Sequence, residues 1–257
     1  MSGSHLVRRV LSFSSIAAIL LFTASDSLAG RNVRPSGQTI SESLKAYTPP
    51  KNSRRPRRSH TGGSVRGCGD DIVAIAPRFT SVGQTASTNP TFVWYNFSPD
   101  NDPVEFQLYR VLPDGSLDRN KVLTKQFETS QQGYQTFTLP AEEVRLTVGE
   151  TYMWQVVLYC DTAFENPGHY SSAELEVVSL PAEVTTALTN NPLQRAEIYA
   201  NASLWYEALA EVTGASTVAT QTLLQELIVD LANLEEQSNE ENSIELSNQL
   251  REIAGVE

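Results

Sequence analysis

Leu146-Thr147-Val148-Gly149-Glu150-Thr151-Tyr152-Met153-Trp154-Gln155-Val156-Val157-Leu158-Tyr159-Cys160 is the stretch that decides the fold. On an extended chain successive side chains alternate, so Tyr152, Trp154, Val156, Leu158 and Cys160 share one face. Gly149, three residues before the tyrosine, gives the spacing of a tyrosine corner. In that device a phenol at the start of the sixth strand of a sandwich hydrogen-bonds backbone a few residues upstream.

Six more runs of period two flank this one, at residues 72–76, 91–95, 104–111, 121–128, 134–139 and 173–178. Pro113-Asp114-Gly115 supplies turn chemistry after the third run. Seven short strands in about 110 residues predict an immunoglobulin-like or fibronectin-like antiparallel β-sandwich over residues 68–180. The alternation turns Phe106, Leu108, Ala173, Leu175 and Val177 inward, and Glu105, Gln107, Glu174 and Glu176 outward.

Beyond Leu180 the period becomes helical. Helices are expected at 181–190, at 192–201 with Pro192 in the first turn, and at 204–213 ending at Gly214. A longer one carries the stripe Leu223, Leu224, Leu227, Ile228, Leu231 and Leu234, and a last one carries Ile244, Leu246, Leu250 and Ile253. The fold class is α+β: a sandwich followed by a small helical layer over residues 181–257.

At the other end, Arg8 and Arg9 precede an apolar run that closes on Ser27-Leu28-Ala29. This pattern reads as a secretory signal peptide over residues 1–29, too short and too rich in serine for a stable membrane span. The chain is therefore expected to be exported, periplasmic or secreted.

Residues 30–67 are rich in proline, serine and arginine and poor in large apolar side chains, so a disordered basic linker is expected there. From residue 30 to 68 nine basic side chains stand against Glu42 alone, whereas from Gly69 onward eight basic ones stand against 28 acidic ones. A basic arm thus joins an acidic body, and it has three conceivable destinations: an anionic envelope surface, the protein's own body, or nucleic acid, which an exported protein rarely meets.

Two cysteines, Cys68 and Cys160, bracket nearly the whole sandwich, and an even count in an exported chain favours one structural disulfide. No Cys-x-x-Cys is present to suggest redox chemistry. His169 is the one histidine in the expected folded part, which leaves no Ser-His-Asp set or histidine metal site to assemble. Asp100, Asp102 and Glu105 lack the glycine and spacing of a calcium loop and read as a turn. Trp94 and Tyr95 could form an aromatic platform for sugar rings, but the strand carrying them is apolar on both faces, which favours core packing.

Several spaced motifs resemble one family, the exported and mostly photosynthetic-bacterial proteins classed as domain of unknown function 928. They are Arg66-Gly67-Cys68, Asn89-Pro90-Thr91-Phe92-Val93-Trp94-Tyr95, Pro103-Val104-Glu105-Phe106, Val148-Gly149-Glu150-Thr151-Tyr152-Met153-Trp154, Tyr159-Cys160-Asp161, and Tyr199 with Trp205-Tyr206-Glu207-Ala208-Leu209-Ala210. The family supplies no catalytic residues to carry over, so the resemblance sharpens the architecture and leaves the activity blank; no cofactor is expected. The resemblance implies that the cysteine pair and the Trp205 helix are standing parts of the design. That helix also looks like half of a tetratricopeptide repeat, which either caps the sandwich or docks on a partner through Tyr199, Trp205 and Tyr206.

The expected function is that of a non-catalytic extracytoplasmic interaction or structural module whose partners are envelope proteins or an anionic envelope surface. A carbohydrate- or wall-binding module is the alternative. A hydrolase comes third, because nucleophile, base and orienter do not occur together.

Overall fold

The computed structural model describes residues 46–57 and 71–256, all within the compact unit formed by residues 43–257. The signal peptide, the remainder of the linker and Cys68 lie outside the described residues.

Eight strands precede five helices among the described residues. The strands are β1 (Ile72–Ala74), β2 (Gly83–Thr85), β3 (Thr91–Asn96), β4 (Val104–Val111), β5 (Leu117–Phe127), β6 (Gly133–Thr138), β7 (Thr151–Tyr159) and β8 (Pro167–Val177). The helices are α1 (Ala182–Ala187), α2 (Pro192–Asn201), α3 (Trp205–Gly214), α4 (Val218–Glu236) and α5 (Glu241–Ala254). Each of the seven expected runs falls on a strand. The eighth strand, β2, has only three residues and includes Gly83 and Gln84, so it shows no alternation to read.

One sheet has three antiparallel strands in the order β1-β3-β6; the other has five in the order β2-β8-β7-β4-β5, with β2 parallel to β8 and the rest antiparallel. The deciding stretch forms β7, the middle strand of the larger sheet. Tyr152 accepts a hydrogen bond at its hydroxyl from Thr147 N at 3.2 Å, and Gly149, at φ 86°, takes the left-handed conformation that glycine adopts without a Cβ clash. Pro113-Asp114-Gly115 makes the β4–β5 turn, with Asp114 Oδ1 accepting from Ser116 N at 2.8 Å.

The sheets meet across an aromatic core. Phe92 of β3 lies 4.8 Å from Phe106 of β4 and 5.2 Å from Trp154 of β7, and Phe106 lies 4.9 Å from Phe137 of β6. Each such side chain contributes about 1.5–3 kcal/mol by leaving water. The helices pack as pairs, α2 on α3 and α4 on α5, with the expected stripe Leu223, Leu227, Ile228 and Leu231 buried. Asn191 caps α2 by accepting from Leu193 N at 3.0 Å, beside Pro192.

Two expectations require correction. Residues 46–57, assigned to a disordered linker, are packed against the body as a strap. Tyr47 is 2% exposed, Tyr47 N donates to Asp230 Oδ2 at 2.9 Å and Thr48 N donates to Ala200 O at 3.2 Å. Further along, Arg54 pairs with Glu174 Oε2 at 2.8 Å, and Arg57 N donates to Glu174 Oε1 at 2.9 Å. Composition undercounts this segment because one aromatic side chain and carboxylates borne by distant elements do the holding.

The second correction concerns the outward faces. Glu105, Gln107 and Glu174 are buried, although alternation turned them to water. The strap covers Glu174. Gln126 and Lys121 of β5 cover Glu105, and Tyr109 donates to Gln107 Oε1 at 2.6 Å. Alternation selects the face of a sheet but does not reveal what later covers it.

Candidate interaction site

Trp205 and Tyr206 open α3, and neighbouring residues on a helix project about 100° apart. They therefore anchor in two different places. Trp205 donates from Nε1 to Ile75 O at 2.9 Å and meets the Tyr47 ring edge-on at 4.8 Å. Tyr206 accepts at its hydroxyl from Trp154 Nε1 at 2.8 Å and sets its ring 5.8 Å from Phe92. Both are fully buried, so these two members of the expected docking trio dock on the protein's own sheets; Tyr199 stays half-buried on α2.

Trp94 and Tyr95 do not form a shared surface. Trp94 is 2% exposed, with Phe127 at 5.8 Å, while Tyr95 points to the opposite face between Phe97 at 4.8 Å and Tyr134 at 5.1 Å. Cys160 follows the last residue of β7; its expected partner Cys68 lies outside the described residues.

Carboxylates on the helices bind the chain segments between strands. Glu207 of α3 accepts at Oε1 from Thr85 Oγ1 (2.7 Å), Ala86 N (2.8 Å) and Ser87 N (2.9 Å). Glu235 of α4 accepts from Arg78 N at 2.7 Å and Phe79 N at 2.8 Å. Burial raises the pKa of both groups above the usual carboxylate value, against the pull of these same hydrogen bonds. Burial lowers the pKa of the Arg78 guanidinium to about 10, opposed by Glu235, so it stays charged at neutral pH. The sequence held one signal for this: Glu235 sits four residues after Leu231, within the apolar stripe of α4.

Tertiary structure brings Asp71, His169 and Ser171 to one small cavity, a grouping that reading the chain by its single folded histidine did not foresee. His169 Nδ1 lies 2.8 Å from Asp71 Oδ1, and Gln249 Nε2 donates to Asp71 Oδ2 at 2.7 Å. Ser171 Oγ accepts from Ala74 N at 2.9 Å and from Arg78 Nη1 at 2.8 Å, and among the described residues no hydrogen bond joins it to His169. The space is about 20 Å³, on the scale of one water, and Ser171 is held as a structural acceptor.

A much larger concavity, about 740 Å³, runs between α2 and α4. Leu223, Val229 and Val256 line it together with Ala46 of the strap, and Glu197, Glu226 and Asp230 add three carboxylates. A smaller cleft of about 140 Å³ lies beside α3, between Tyr199, Glu207 and the Asn89–Thr91 segment. Among the described residues no group of His, Cys, Asp and Glu is disposed to hold a metal ion, and no helix is long and apolar enough to cross a membrane.

The family model described as Domain of Unknown Function (DUF928) matches residues 52–249. The chain belongs to this family. The DUF928 match takes in all eight strands, the basic half of the strap and α1 to α4, and it ends within α5.

Comparison with curated proteins gives no match. Among solved structures the chain is similar to Astrotactin-2, described as a conserved vertebrate-specific and perforin-like membrane protein involved in neuronal development. The identity is 10%, the TM-score 0.29, and the match covers 66% of this chain and 35% of that one. It is also similar to Bacteroides uniformis β-glucuronidase 2 bound covalently to cyclophellitol-6-carboxylate aziridine, at 11% identity and TM-score 0.27 over 76% of this chain and 33% of the other. The chain spans about a third of each of those structures, and likenesses this slight carry no argument about activity.

Proposed function

We propose that this DUF928 protein is a non-catalytic extracytoplasmic interaction module of the cell envelope, in which the sheets serve as a scaffold and the helical layer presents the binding surface. The observation that carries this reading is the α2/α4 groove, an open concavity of about 740 Å³ on a layer whose inward-facing side is committed to holding the sheets through Trp205, Tyr206, Glu207 and Glu235. Concave, partly apolar surface of this size is what a partner segment needs.

Export is supported by the leader-like pattern at residues 1–29, and a Cys68–Cys160 disulfide by the absence of a free cysteine among the described residues. We further propose that the two sheets are a variant of the immunoglobulin-like sandwich, on the strength of the Tyr152 corner, and that α2 and α3 are a tetratricopeptide-like pair, since Ala196, Ala200 and Ala208 are fully buried.

The test is fractionation of the producing cell, combined with thiol counting under denaturant and photo-crosslinking from Thr222 in the groove and from Val148, exposed on the β6–β7 connection. A processed product outside the cytosol, with no free thiols and a discrete crosslinked partner, is expected. An unprocessed cytosolic product with two free thiols and no crosslink at either position would overturn the reading.

A further inference from the structure

The α2/α4 groove has a chemistry that specifies its occupant. Along α4, Thr222, Glu226 and Val229 recur at spacings of four and three, and Leu223, Glu226 and Asp230 do the same, so one helix face lines the groove. On α2, Glu197 and Asn201 stand four apart and form the opposite wall. Val229 and Val256 supply apolar surface beside the largely buried Leu223, and Val256 is 46% exposed.

Charge in the groove is of one sign. Glu197, Glu226 and Asp230 all line it, and among the described residues no Lys, Arg or His does. Asp230 is committed to Tyr47 N, but among the described residues neither Glu197 nor Glu226 has an ion-pair partner, and both are exposed. The surroundings amplify the field, because from residue 181 onward thirteen acidic side chains meet only Arg195 and Arg251. Both of those arginines are paired, with Glu211 at 2.5 Å and with Glu236 at 2.8 Å. An apolar strip flanked by unpaired carboxylates is complementary to an amphipathic helix carrying lysine or arginine beside its apolar face.

We propose that the groove between α2 and α4 binds a basic amphipathic helical segment of a partner protein. This rests on the interaction-module reading and adds the partner's chemistry to it. The apolar face of the segment lies over Val229 and Val256, and its cations meet Glu197 and Glu226. An acidic segment, or an anionic lipid surface, meets repulsion at the same place.

The test uses the whole mature chain and a labelled fourteen-residue peptide of leucine, alanine and lysine written on a helical period, with a second peptide bearing glutamate at each lysine. Fluorescence anisotropy at low and high salt should show the lysine peptide binding, with affinity falling as salt rises, and the glutamate peptide not binding. The Glu197→Gln/Glu226→Gln variant should weaken binding by about tenfold at low salt. A Glu142→Gln/Glu143→Gln variant, with the same change in net charge at exposed positions on the β6–β7 connection, should stay within about twofold of wild type.

Failure of the lysine peptide to bind, or equal weakening in the two double variants, would overturn the proposal. A gain of more than tenfold on deleting residues 31–45 would assign the groove to the chain's own basic arm instead, and would overturn it too. A partner that crosslinks in the envelope from Val148 but not from Thr222 would sink the groove while leaving the interaction-module reading standing; no crosslink at either position would sink both.

Discussion

Trp154 Nε1 donates to the Tyr206 hydroxyl at 2.8 Å inside a core where both rings are closed to water, and this bond joins the middle strand of the larger sheet to the first turn of α3. Tyr206→Phe keeps the ring and removes the acceptor, so the indole N–H is left unsatisfied at a cost of about 1–3 kcal/mol. Urea denaturation should show that loss with an unchanged slope. A midpoint equal to wild type would mean that the bond contributes nothing.

Tyr47 separates a packed strap from a loose tether. Its ring is 2% exposed against Trp205, so Tyr47→Ala should cost about 3–5 kcal/mol, the range for truncating a buried aromatic. Among the described residues the buried Tyr47 hydroxyl has no hydrogen-bond partner, and burial pushes its pKa up. Tyr47→Phe should therefore be neutral or stabilise by about 1 kcal/mol. Thermal denaturation of the two variants decides, and an innocuous Tyr47→Ala would restore the disordered linker.

The strap's second hold is the pair Arg54–Glu174, half-exposed on the arginine side and fully buried on the glutamate side. Removing the cation with Arg54→Ala leaves a buried carboxylate short of one partner. The expected loss is about 1–2 kcal/mol, less than for a fully buried pair because solvent screens Arg54. Adding Glu174→Gln should return part of it, since a neutral amide needs no counter-charge. Additive losses in the double-mutant cycle would show that the two side chains do not interact.

Glu207 makes stability depend on pH. Its pKa is raised in the folded state, mainly by burial, from an ordinary value of 4.5, so the folded chain holds the proton more tightly than the unfolded one. The associated stability is complete below about pH 4.5 and is lost as pH rises through the raised value. Glu207→Gln keeps an acceptor for the Ala86 and Ser87 amides and removes the titration. Urea midpoints measured between about pH 4.5 and 7.5 should therefore fall more steeply with pH in wild type than in the variant. Parallel profiles would rule Glu207 out as their source.

Much of the fold could be read along the chain because β-strands and amphipathic helices record their buried face as a local period. The 104–111 run matches β4, and the Leu223 to Leu231 stripe lies buried on α4. Tyr152 announced its own hydrogen bond, since Gly149 and the following alternation are both near it in sequence. β2 escaped because three residues, one of them glycine, carry no period. The groove escaped for another reason: Glu197 and Glu226 each read as ordinary solvated positions on separate helices, and only the packing of α2 near α4 sets them across from one another.

Sequence by itself determined the α+β class, the order of the helices and of every strand but β2, the aromatic inner faces and the split between a basic arm and an acidic body, because each is written in composition or in spacings of two to four residues. Tertiary structure alone decided that Tyr47 lies under Trp205, that Glu174 is covered by Arg54 and Arg57, and that Glu207 and Glu235 tie loops to helices. Those contacts join residues from about 117 to 158 positions apart, and no local period can encode which distant carboxylate will meet a given backbone amide.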